Sequence, residues 1–228
     1  MEKDSILDKF LIHLNGIGVS CNALDPGTID IDYEFRQKVQ GYTGTMNVGS
    51  FRIFSGNIDY ANIIERLDYQ VGSKSYGRYS RSEHVADQWE VRYFLQTDKQ
   101  GKLAQVDVFT ESVLEKGFMH SKVVDAVWKG SGKMTTLPSH IQNDDLLEKL
   151  NSDQKLKNML VQNLTKEKTI RVKAYIPKKK GAEEWNDYLV IFGEWRDRKD
   201  IFVTNECFDM YDRVAYGIKE MINSLKYW

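Results

Sequence analysis

The stretch Gln88-Trp89-Glu90-Val91-Arg92-Tyr93-Phe94-Leu95-Gln96 reads with a period of two. Trp89, Val91, Tyr93 and Leu95 fall on one side, and Glu90, Arg92, Phe94 and Gln96 on the other. Successive side chains of a strand point to opposite faces, so this segment is a β-strand with a core side and a more polar side. Thr97-Asp98-Lys99-Gln100-Gly101 follows as a turn, and Ala104, Val106 and Val108 resume the alternation, which predicts a β-hairpin. Ile29, Ile31, Tyr33 and Phe35 alternate with Asp30, Asp32, Glu34 and Arg36 in the same way. Ile170, Val172, Ala174 and Ile176 make a further strand, stopped at Pro177. Tyr188 to Phe192 and Ile201 to Val203 read as two more, joined by the charged turn Arg196-Asp197-Arg198-Lys199. Short turns between neighbouring strands imply antiparallel pairing.

Towards both ends the period becomes helical. Ile6, Leu7, Phe10, Leu11 and Leu14 share one helix face, with Ser5 and Asp8 at its start and Gly16 as its stop. Phe208, Tyr211, Val214, Ala215, Ile218, Met221, Ile222 and Leu225 form the strongest amphipathic stripe, which Thr204 or Asn205 can cap. Two shorter helices are expected between the strand groups. One holds Ile63, Ile64 and Leu67 behind Asn57 or Asp59 as cap. The other holds Leu146, Leu147 and Leu150, and is broken at Asn151-Ser152-Asp153, which recaps a piece with Leu156, Met159, Leu160 and Leu164. Strands in runs with helices set apart specify an α+β fold, an antiparallel sheet covered by helices with a long amphipathic C-terminal helix. The reading is a single domain of residues 1–228. A seam at 116–138, rich in Gly, Lys and Ser in its second half, would otherwise divide 1–115 from 139–228.

Lys plus Arg is 32 and Asp plus Glu is 33, so a global electrostatic case for nucleic acid or an anionic membrane is absent. The longest strongly apolar run, Tyr188 to Phe192, is far short of the roughly 20 residues a membrane helix needs. Met1-Glu2-Lys3-Asp4-Ser5 lacks the basic start and apolar core of a signal peptide. Cys21 and Cys207 form no disulfide framework and no zinc pattern, and they read as reduced thiols, with a single bridge between them left open. A cytoplasmic protein without a cofactor, and with no membrane among its partners, is expected.

Candidate chemistry is sparse. Gly130-Ser131-Gly132-Lys133-Met134-Thr135 departs from a phosphate loop, with Val127 at the first glycine position, Met134 at the hydroxyl position and Pro138 opposing the helix that must follow. Gly16-Ile17-Gly18 has Cys21 where a dinucleotide motif needs its third glycine. Asp30, Asp32 and Glu34 share one strand face and could begin a hard-cation site, but a solvated edge reads more simply. His13, His84, His120 and His140 sit in no recognisable nucleophile setting, and Glu206 and Asp209 oppose activation of Cys207. Tryptophans 89, 128, 185, 195 and 228 read as core or rim anchors.

The most suggestive segment is Lys74-Ser75-Tyr76-Gly77-Arg78-Tyr79-Ser80-Arg81. Lys74, Arg78 and Arg81 suit negative charge, and Tyr76 and Tyr79 suit stacking on flat groups. A second basic stretch runs from Lys166 to Lys180. The blocks Val123-Val124-Asp125-Ala126-Val127-Trp128-Lys129-Gly130 and Leu146-Leu147-Glu148-Lys149-Leu150-Asn151-Ser152-Asp153 resemble segments of uncharacterised archaeal proteins. In those, a W-K-G element leads directly into a leucine-rich helix ending in L-N-x-D, whereas here residues 131–145 intervene. The resemblance implies no activity, cofactor or site residue. The functional expectation is a non-catalytic binding or accessory module that meets an anionic ligand or a protein partner through a local basic-aromatic surface. The alternatives are a metal-assisted hydrolase using Asp30, Asp32 and a histidine from distant segments, and a homo-oligomer subunit that buries its aromatics.

Overall fold

The computed structural model describes residues 3–24, 34–38, 41–70, 88–97, 106–116, 121–130, 143–164, 168–175, 187–195 and 205–224. The fold is built around strand β5 (Gln88–Thr97), with Val91, Tyr93 and Leu95 directed to the core as the alternation requires. On one side β5 pairs with β4 (Tyr60–Gln70), and on the other with β9 (Asp187–Trp195). The remaining strands are β1 (Cys21–Ala23), β2 (Glu34–Lys38), β3 (Gly41–Ile53), β6 (Asp107–Lys116), β7 (Ser121–Gly130) and β8 (Lys168–Tyr175). Among the described residues these nine strands make one sheet in the order β1-β3-β4-β5-β9-β8-β6-β7, with β2 also on β3. Every pairing is antiparallel. With four helices, α1 (Lys3–Gly16), α2 (Asn143–Ser152), α3 (Gln154–Asn163) and α4 (Asn205–Ser224), the architecture is α+β with a long C-terminal helix.

Two local expectations are overturned. The segment of Ile63, Ile64 and Leu67 is not a helix but part of β4, paired on both sides in register with β3 and β5. Its spacing satisfies a helix face, but β-branched and aromatic side chains fit a two-sided strand, and here pairing decides. The hairpin predicted after residue 95 is also absent. β9 and β8 lie between β5 and β6, and β6 begins at Asp107. The reason is burial on both faces. β5 buries Phe94 as well as Tyr93 and Leu95, and β9 buries Leu189, Val190 and Ile191 in succession. Two strands apolar on both sides gain most by lying together in the middle of the sheet. The expected strand at 29–36 is described only from Glu34, inside β2, and the one at 201–203 lies outside the described residues.

The core lies on one face. Phe51, Ala61, Tyr93, Ile191, Val172 and Val108 form one cross-strand row. They are buried in the same cluster as Phe10 and Leu14 of α1, Leu146 and Leu150 of α2, Leu156 and Leu160 of α3, and the apolar stripe of α4. Tyr93 is the centre, its ring 4.8 Å from Tyr211 and 5.9 Å from Phe208. Its phenol is buried without a hydrogen-bond partner among the described residues. Burial, and secondarily Cys207, push its pKa well above 10.0.

Helix ends follow local chemistry. α1 closes with Gly18 in the left-handed conformation (φ 85°), Val19 N–H on the Leu14 carbonyl and Gly18 N–H on that of Asn15, so Gly18, not Gly16, makes the stop. Asp153 splits α2 from α3 as expected, accepting from Leu156 N–H at 3.0 Å as the α3 N-cap. Its other oxygen accepts from Arg213 Nε of α4 at 2.6 Å.

Among the described residues β7 ends the sheet, and its outer edge is occupied at Trp128. Asn151 accepts from Trp128 N–H at 2.9 Å and donates Nδ2 to the Trp128 carbonyl at 3.1 Å. One side-chain amide thus stands where a further strand would pair, and it joins the two blocks in which the archaeal resemblance was read. Asp125 accepts from Ala126 N–H, and a register shift sits between Val113 and Leu114. Such devices blunt an edge against association. The hairpin of β6 and β7 enters the expected seam, and β6 also pairs with β8 beyond it.

Asn151→Ala should lower unfolding free energy by about 1–2 kcal/mol, read from urea melts, because both Trp128 backbone groups lose their partner. Burial raises the Asp153 pKa, but the Arg213 guanidinium and the Leu156 and Lys155 N–H groups outweigh it, so the carboxyl lies below its usual 3.8. The unfolded chain therefore takes up this proton first, and the contribution is full above about pH 4 and lost as pH falls through the folded value. Asp153→Asn should flatten that acid limb in urea midpoints measured across pH.

Candidate functional site

The sheet face turned away from the helices carries the charged members of the alternation. By register, Arg52, Tyr60, Phe94, Val190, Lys173 and Asp107 form one row across β3, β4, β5, β9, β8 and β6. Two residues along, roughly 7 Å away, Ser50, Asn62, Arg92, Phe192, Arg171, Phe109 and Lys129 form the next. The middle is buried, with Asn62 and Phe94 at 0% exposure and Val190 and Ser50 little more. Phe94 and Val190 stand outside the helix-side core. The Asn62 amide has no hydrogen-bond partner among the described residues.

The two ends of the rows differ. At the β6 end Arg171 grips Asp107 through Nε and Nη2, both at 2.7 Å, and Lys129 pairs with Glu111. At the β3–β4 corner the cation is stacked instead. The Arg52 guanidinium lies 5.7 Å from the Phe54 ring centre and 5.9 Å from that of Tyr60. Phe54 is 58% exposed, and Arg52 and Gln96 are exposed beside it. The Tyr60 hydroxyl donates to Gln96 Oε1 at 3.3 Å. A guanidinium over a ring keeps its N–H edge for an acceptor while its face is shielded, which suits phosphate or carboxylate recognition.

This corner is held from beneath by α4. Asp212 accepts from Asn57 N–H at 2.5 Å, from Asn57 Nδ2 at 2.8 Å and from Ile58 N–H at 3.3 Å. Gly56 takes φ 81°, and a Cβ there would run into Asp212. Asp59 accepts from Lys219 Nζ and from Gln96 N–H, each at 2.9 Å. The turn between Phe54 and Tyr60 is thus fixed at three residues; Tyr60 begins β4, and Phe54, one residue past β3, donates its N–H to the Ser20 carbonyl at 2.9 Å.

Lys74, Tyr76, Arg78, Tyr79 and Arg81 lie outside the described residues, in the connection between Gln70 of β4 and Gln88 of β5. Asp30, Asp32, His84, His120 and His140 also lie outside them. Of the Lys166 to Lys180 stretch, β8 places Arg171 and Lys173 on the turned-away face. Cys21 and Cys207 are buried and form no disulfide, and burial pushes the Cys21 pKa up. Among the described residues no three His, Cys, Asp or Glu side chains are grouped to hold a metal ion. No described helix is long and apolar enough to cross a membrane. Trp128 is a core residue, as expected of the tryptophans. The signal for the corner was Phe51-Arg52-Ile53-Phe54, which alternates core and surface within one short run.

Comparison with protein-family models, with curated proteins and with solved structures finds no match to this chain.

Asp212→Ala should cost about 1–3 kcal/mol in urea melts, since two turn N–H groups and one amide lose a charged acceptor together. Gly56→Ala should destabilise as well, through its left-handed backbone and its contact with the same carboxylate.

Proposed function

We propose that this chain is a non-catalytic binding module that takes an anionic partner on its basic-aromatic corner. The observation that carries the reading is Arg52, exposed between Phe54 and Tyr60 and without a carboxylate partner among the described residues. The carboxylates at the adjoining turn, Asp59 and Asp212, are held by Lys219, Gln96, Asn57 and Ile58. An incoming anion therefore meets the cation without displacing an internal ion pair. Lys74, Arg78 and Arg81 extend the same chemistry in the connection between β4 and β5. That Cys21 and Cys207 are buried without a disulfide supports a reducing compartment, and our reading puts the chain in the cytoplasm.

Filter binding of heparin, polyglutamate and a single-stranded oligonucleotide at low and high salt tests this reading. At least one should bind, and its affinity should fall with salt, because the attraction is local and screened over about 10 Å. Arg52→Glu should weaken that binding at least about tenfold. If Arg78→Glu with Arg81→Glu abolishes binding while Arg52→Glu does not, the surface belongs to the β4–β5 connection instead. Binding of no polyanion, or binding indifferent to both variants, would overturn the proposal.

A further inference from the structure

We infer that the corner takes one or two nucleotides of a single-stranded nucleic acid. The inference rests on the reading above and names its ligand. A purely charged partner accounts for Arg52 but not for the ring beside it. Among the described residues Phe54 is one of a few large apolar side chains left largely in water, and it stands next to a cation with no carboxylate partner among them, before a turn fixed by Asp212 and Asp59. An exposed ring on an anchored backbone offers a face to an unstacked base, while the guanidinium offers N–H groups to the phosphate that follows it. Gln96 adds a third element. Its oxygen accepts from Tyr60, so its amide NH2 remains the group with which it can meet a base edge.

The same features argue against a duplex. Duplex binding draws on many phosphate contacts along a broad basic footprint, whereas the described corner supplies one guanidinium, that of Arg52. In a duplex the base faces are stacked on one another and closed to Phe54. A single strand needs only local charge and a ring.

The test is fluorescence anisotropy of the full chain with labelled oligo-U and oligo-dT of about ten nucleotides at about 50 mM salt. Inorganic polyphosphate, which has the charge but no bases, serves as competitor, with UMP and a duplex alongside. Phe54→Ala should weaken oligonucleotide binding at least about fivefold while polyphosphate binding stays within about twofold. Arg52→Gln should weaken both, and Phe54→Trp should retain the oligonucleotide. If Arg52→Gln weakens both but Phe54→Ala weakens neither, the nucleic-acid inference fails while the anionic site stands. Absence of binding to any probe removes both. UMP competing as well as the oligomer, duplex binding as tight as single strand, or Phe54→Trp behaving like Phe54→Ala would each overturn the inference.

Discussion

The structure depends on one helix finding one strand. Helix α4 buries Phe208, Met210, Tyr211, Val214, Ala215, Ile218, Met221 and Ile222, and the ring at the centre of its contact is Tyr93 on the central strand β5. Each fully buried large apolar side chain is worth about 1.5–3 kcal/mol, so this contact carries much of the burial in the described core. β5 can present Tyr93 there because β4 and β9 flank it and satisfy its backbone on both edges. The order of the sheet and the seat of the helix are thus one solution, reached by placing the strands that are apolar on both faces side by side.

Hydrophobic burial is non-directional and would let α4 slide or rotate. Three charged residues on its less buried flank prevent this. Arg213 holds the Asp153 cap of α3, Asp212 holds the turn at Asn57 and Ile58, and Lys219 holds Asp59 at the start of β4. These anchors reach segments far apart in sequence. The helix that closes the core is therefore also the part that positions the Phe54–Tyr60 corner. Gly217 allows Leu150 to approach, a Cβ there lying 3.2 Å from the leucine methyl, so α2 is drawn onto the same helix.

What could be read from the sequence was local. The stripe of α4, the break at Asp153, and the alternations of β5, β8 and β9 each lie within a dozen or so residues and declare their period directly. β3 did not, because Gly41, Gly44 and Gly49 erase its alternation. β4 was misread because Ile63, Ile64 and Leu67 satisfy two periods at once, and only the neighbouring strands choose between them. The insertion of β9 and β8 between β5 and β6 is a long-range pairing with no local mark. The candidate site was hidden for the same reason. Arg52 and Tyr60 become partners across a turn within a strand pair that has no legible alternation, whereas Lys74 to Arg81 carries its cations and rings together in one run.

A net charge of -1 and a basic binding corner are compatible because charge balance is not charge distribution. In the described structure several acids are engaged by the chain itself. Asp59, Asp107, Asp125, Asp153 and Asp212 each take cations or N–H groups of the chain itself. On the turned-away face that leaves Arg52 and Lys173 without a carboxylate among the described residues, one at either side of a buried apolar middle. At physiological salt a ligand senses charge within about 8 Å, so it meets the stacked guanidinium and not the sum over the whole chain. A global count is therefore a poor guide to what this surface attracts, and the pairing of each carboxylate is the better one.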